Sequence, residues 1–157
     1  MKNKLILFSG WILWAITVTI CIVFFIKGNT TQSDDNREAL ILSKSEKNLV
    51  LSEMRILLSV IQETLVFLSK DDYESAAKKS KEAGMDLVES LAAAEKSILV
   101  KLPIEFKKLG MGTHEKFDSF SKSVKMRKPL PVLLGELGEL TTKCVACHKG
   151  YKIELEK

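Results

Sequence analysis

An all-α fold, an antiparallel four-helix bundle preceded by one N-terminal transmembrane helix, follows from three features of this 157-residue sequence. Leu5 to Ile26 is a run of 22 residues without a charge. From Val50 onward apolar residues recur at steps of three and four, the period of a helix with one buried face. No stretch reads convincingly as an alternating strand, and the chain holds no Gly-rich phosphate loop and no repeat.

The apolar run comes first. A membrane-spanning helix needs about 20 apolar residues to cross about 30 Å of hydrocarbon. A cleaved signal peptide ends at small residues, whereas this run ends "IVFFIKGN", bulky to its last position. An uncleaved anchor over residues 1–27 is therefore the expectation, with a cleaved signal as its rival. Cys21 lies inside the span as a small apolar filler. Lys2 and Lys4 on the short flank favour a cytoplasmic N-terminus and an exported remainder. This predicts a single-pass protein of the inner (cytoplasmic) membrane with its C-terminal domain in the periplasm.

Residues 28–36, within "KGNTTQSDDN", are polar and aperiodic and read as a linker. Residues 37–157 then form the helical domain. Two of the 24 basic residues precede the apolar run, which leaves 22 against 20 acids. So small an excess gives no argument for nucleic acid or an acidic surface as a partner, and no nucleic acid is expected.

The first bundle helix carries Val50, Met54, Leu57, Ile61, Leu65 and Leu68 on one stripe. "KDDYESAA" breaks it, with Asp71 and Glu74 as a capping pair and Asp72 as a second candidate cap. The second helix places Ala76, Ser80, Ala83, Leu87, Leu91, Ala94 and Ile98 on one face and ends before Pro103. A shorter third helix begins near Thr113 with Phe117, Phe120 and Val124 inward, and Pro129 and Pro131 end it. The fourth runs from about Pro131 towards Lys152. Four amphipathic helices with short connections bury their stripes most simply as an antiparallel bundle.

On the fourth helix Leu133, Leu137, Leu140, Cys144, Cys147, His148 and Tyr151 share a stripe. Within it stands "CVACH". Cys-x-x-Cys-His is the attachment pattern of a c-type haem: each thiol reaches one vinyl group and the histidine reaches the iron. The alternatives fit less well. A thioredoxin-like dithiol needs a strand-helix setting. Zinc needs four ligands, and the chain offers two cysteines here with His114 and His148. Thioether bonds form outside the cytoplasm, in keeping with export.

The segment "CVACHKGYK" near the C-terminus of a helical chain resembles the class II c-type cytochromes, the cytochrome c-prime family, whose ending is commonly C-x-x-C-H-x-x-Phe/Tyr-Arg/Lys. Tyr151 and Lys152 occupy the last two places. The resemblance extends through "LSEMRILL", "EAGM", "LPIEFKKLG" and "THEKFD" and covers roughly Leu49 to Lys152. This chain departs from the family in its membrane anchor and its shorter third helix.

The resemblance implies one covalently bound haem c and no enzymatic activity. Cys144 and Cys147 would hold the haem, His148 would ligate the iron, and Lys152 would tune the charge near the proximal imidazole. It also implies pairing into homodimers. Met54 is the candidate sixth ligand on geometry. It lies about 16 residues before the break near Lys70, and His148 about 17 residues after the start near Pro131, so at about 1.5 Å per residue both sit roughly 25 Å from the same end. Met85 and Met111 are rivals. Bound by His and Met, the iron would carry single electrons to a membrane-bound or periplasmic redox partner. With an open distal face it would bind a small gas such as nitric oxide. An assembly or sensor subunit docked through its anchor is a third expectation.

Overall fold

The computed structural model describes residues 2–156, without the side chains of residues 2–7 and 93–95. The readings placed on the Lys2, Lys4 and Ala94 side chains lie outside the described residues. The elements are α1 (Lys2–Lys27), β1 (Thr30–Gln32), β2 (Glu38–Leu42), α2 (Lys44–Leu68), α3 (Tyr73–Lys81), α4 (Met85–Leu99), α5 (Ile104–Lys125), α6 (Leu130–Gly150) and β3 (Tyr151–Leu155). The chain is predominantly helical, and α1 is long and apolar enough to cross a membrane. Its described apolar side chains stand exposed, Trp11 at 69% and Trp14 at 60%.

The absence of strands is the first expectation to be corrected. The order β1-β2-β3 forms one sheet, β1 antiparallel to β2 and β2 parallel to β3. Glu38 opposes Tyr151 and Leu42 opposes Leu155. The partners stand at opposite ends of the sequence, so neither shows its pairing locally. Burial of Leu40 and Leu42 against Val50, Ile98 and Leu102 holds the sheet on the helices.

The segment read as a featureless linker contains β1 and is fastened at its start. Gly28 N–H donates to Phe24 O (2.7 Å) and Asn29 N–H to Lys101 O (2.6 Å). The first of these is the turn in which a left-handed residue closes a helix C-terminus. Gly28 has φ +66°, and a Cβ there would fall 2.3 Å from Lys101 O. Only glycine fits.

Helix boundaries also differ from the expected ones. Ser43 and Glu46 form a capping box at the start of α2. Asp72, not the Asp71–Glu74 pair, caps α3 by accepting from Ser75 N–H (3.0 Å). The expected second helix is two helices. Asp118, on α5, occupies the space a Gly84 side chain would need and accepts from Met85 N–H (3.1 Å). A carboxylate from a neighbouring helix thus starts α4. The third bundle helix begins at Ile104, not Thr113, and runs 22 residues. Gly110 and Gly112 weaken it locally without ending it. It is not short. The fourth ends at Gly150, so Lys152 lies on β3.

Two apolar clusters result. One joins α2, α3, α5 and α6 through Val60, Ala77, Phe117, Phe120, Val124, Leu133 and Leu140. Small residues on α3 let α5 approach, and Ser121 Oγ donates to Ala77 O (2.7 Å). The other lies under the sheet. Leu65, expected inward, is 38% exposed, and Val60 and Thr64 take the buried positions on α2.

Gly28→Ala is expected to lose about 1–3 kcal/mol from backbone strain and the clash. Gly135→Ala, at an exposed helical site with nothing within 4 Å of the new Cβ, should gain up to about 1 kcal/mol. Thermal unfolding of the full chain in detergent measures both.

A pH prediction comes from Glu46, which Lys101 Nζ meets at 2.8 Å while also meeting Glu156 at 2.6 Å. Burial alone would raise this carboxyl from its ordinary 4.5. The hydrogen bond from Lys101, with those from Ser43, outweighs burial and brings it down to about 2. A depressed carboxylate stabilises the fold above its unfolded pKa and ceases to as pH falls through the folded one. Glu46→Gln should therefore lower the urea midpoint at pH 7, and the gap to wild type should close between pH 4.5 and about 2.

Candidate functional site

Between the two clusters lies a cavity of about 490 Å³. Its walls come from α2 (Val50, Met54, Leu57, Ile61), α4 (Ile98), α5 (Phe106, Met111, His114) and α6 (Cys144, Cys147, His148). Helix α2 packs on α3, and α6 on α5, rather than on each other. That leaves the cavity between them. Its volume falls inside the range of about 300–1,000 Å³ usual for cofactor pockets.

The structure brings Met54, Cys144, Cys147 and His148 to this one cavity. Met111 lines it too, whereas Met85 is 37% exposed and lies outside the lining. Both thiols are half-buried on the wall. Burial pushes the Cys147 thiol up to about 11, with Cys144 adding to it, and pushes the Cys144 thiol up as well. Both are neutral at pH 7. A redox dithiol or a zinc site works through thiolates, so the surroundings favour neither.

His148 is exposed near the end of α6. Its backbone carbonyl accepts from Arg37 Nη1 at 3.4 Å. Three residues on, Tyr151 sets its ring edge against Phe106, centroids 5.2 Å apart. A second cavity of about 340 Å³ continues past Met54, Cys147 and His148 to Arg37, Lys47 and Lys152. Lys152 reaches it from a strand, not from one turn further along the helix. Its Nζ lies 2.9 Å from Glu154, 3.2 Å from Asp34 and 3.8 Å from Asp35. Glu154 and Asp34 hold its ammonium charged. Its charge is thus largely met by three carboxylates.

Two features of the wall escape sequence reasoning. His114, which the sequence offers only as one of two histidines, is 4% exposed and bonded at both nitrogens. Nδ1 lies 2.8 Å from Ala83 O and Nε2 3.0 Å from Glu53 Oε1. A carbonyl only accepts, so Nδ1 carries hydrogen, and the contact to Glu53 is bonded when a second proton lies between the two groups. The imidazole on α5 thereby ties the α3–α4 break to α2, one residue from Met54. Glu53 and His114 are far apart in sequence and no local pattern links them. Arg37 escaped for the same reason.

No protein-family model, no curated protein and no solved structure matches this chain.

His114→Leu would strand the Glu53 carboxylate and the Ala83 carbonyl and is expected to cost about 2–3 kcal/mol. Glu53→Gln, which keeps a polar group opposite the ring, should cost less. Denaturant unfolding of the two variants against wild type checks the order.

Proposed function

We propose that this chain is a membrane-anchored c-type haem protein that carries single electrons at the outer face of the inner membrane. The observation that carries the reading is the meeting of Cys144, Cys147, His148 and Met54 on one largely apolar cavity of about 490 Å³. Cys144 and Cys147 would hold the haem through thioether bonds, and His148 and Met54 would ligate its iron. Lys152 and Arg37, together with their partners Asp34, Asp35 and Glu154, would set the charge beside the His148 end. A haem bound there supplies reversible one-electron chemistry at an iron whose potential follows from its axial ligands and surroundings.

The chain's own residues would do the rest. Leu57, Ile61 and Phe106 keep water from the cavity. The raised thiols stay protonated until they are used in attachment. Arg37 and the sheet hold the end of α6, and with it His148, in place. The α2 helix, the broken pair α3–α4, α5 and α6 would be the four members of the antiparallel bundle, and the chain would resemble the class II c-type cytochromes in that respect. Its partners would be a redox protein of the membrane or periplasm and, through α1, the lipid.

The apolar wall around Met54 also favours a second reading. If Met54 does not bond the iron, Val50, Leu57 and Ile61 face an open position suited to a small uncharged gas such as nitric oxide.

Protein purified from a host that matures c-type cytochromes should keep its haem through denaturation and acid–acetone extraction. Colour that leaves with the solvent overturns covalent attachment. The oxidised spectrum should be low-spin with the charge-transfer band of a methionine–Fe(III) bond, and Met54→Ala should abolish that band. A high-spin wild type without the band removes Met54 as ligand and leaves gas binding as the function.

A further inference from the structure

The corner between α4 and α5 meets α1 with no spacer. Asn29 N–H donates to Lys101 O (2.6 Å), and Gly28 packs on the backbone of residues 101–103 too closely for any side chain. The span Phe8–Lys27 covers 20 residues, about 30 Å at 1.5 Å per residue, which is the thickness of the hydrocarbon layer. The residue after it and the corner bonded to it therefore lie at headgroup depth. Two further contacts fit that depth. Lys107 Nζ sits 4.2 Å from the centre of the Phe25 ring, so its stem runs along the last turns of α1 and its charge ends at the interface. Val100, at the tip of the corner, is 53% exposed. Lys27 and Lys107 add positive charge there, while Glu105 is taken up by Lys108 at 2.7 Å.

We infer that the α4–α5 corner is a lipid-contact face that seats anionic phospholipid headgroups around Lys27, Val100 and Lys107. The inference rests on α1 as a membrane span and is independent of any haem. Its consequence for the site is direct. Leu99 O accepts from Lys107 Nζ (3.2 Å), and both residues also line the 490 Å³ cavity. The cavity then begins one side chain from the lipid, held there by a fixed joint.

The full chain reconstituted into nanodiscs of phosphatidylcholine, or of phosphatidylcholine with phosphatidylglycerol, tests this by hydrogen exchange. Amides of residues 98–108 should exchange several-fold more slowly in the anionic discs, with α6 amides unchanged as the reference. Lys27→Glu with Lys107→Glu should erase the difference between the two lipids. A Gly-Ser insertion after Lys27, which leaves every corner residue intact but breaks the joint, should erase it too. Equal exchange in both lipids, or a lipid effect that survives the charge reversal, overturns the inference. Release of the chain by alkaline carbonate shows that the span reading itself is wrong and overturns the inference with it.

Discussion

The imidazole of His114 is the tie on which the arrangement around the cavity depends. It leaves α5, bonds the carbonyl of Ala83 where α3 gives way to α4, and meets Glu53 on α2. Three helical elements that share no local sequence are fixed by one ring that is 4% exposed. In so dry a place a polar group left unmatched is costly, so the three elements keep the spacing that satisfies it. The cavity wall between Met54 and Met111 follows from that spacing. The Asp118 carboxylate works in the same region from the same helix, closing Gly84 and starting α4.

A second tie joins the two ends of the chain. β2 follows the apolar helix α1 and the short β1, and β3 follows the Cys-x-x-Cys-His segment, yet the two strands pair in parallel. Arg37, just before β2, reaches the carbonyl of His148. Lys101 draws in both Glu46 from the first turn of α2 and Glu156 from beyond β3. The motif-bearing end of α6 is therefore positioned by residues that closely follow α1. With Gly28 locked on the α4–α5 corner, α1 and the helical domain are joined directly, where the composition of residues 28–36 predicts a loose connection.

Period and motif made much of this legible in advance. The uncharged run of α1, the inward stripes of Val50 and Leu68 on α2, of Phe117, Phe120 and Val124 on α5, and of Leu133, Leu137 and Leu140 on α6 are local patterns, and each of the named residues on α2, α5 and α6 is buried. A helix shows its buried face within a few turns because its period is fixed by backbone geometry. The Cys144, Cys147 and His148 cluster was visible for the same reason. Met54 lines the same cavity, a nearness that helix lengths predict only under an assumed antiparallel arrangement.

Tertiary structure decided what depends on distant partners. The short run "EALIL" is ambiguous between helix and strand until "YKIEL", at the far end of the chain, supplies its ladder. The alternation of Tyr151, Ile153 and Leu155 was the one local sign of it. Ala83-Gly84 breaks a helix because Asp118 fills the space and caps the next one, while Gly110 and Gly112 break nothing because packing on both sides outweighs their cost. His114, Glu53 and Arg37 carry no pattern of their own. Hydrogen bonds between remote side chains are set by how elements pack, and one sequence read locally contains the elements but not their packing.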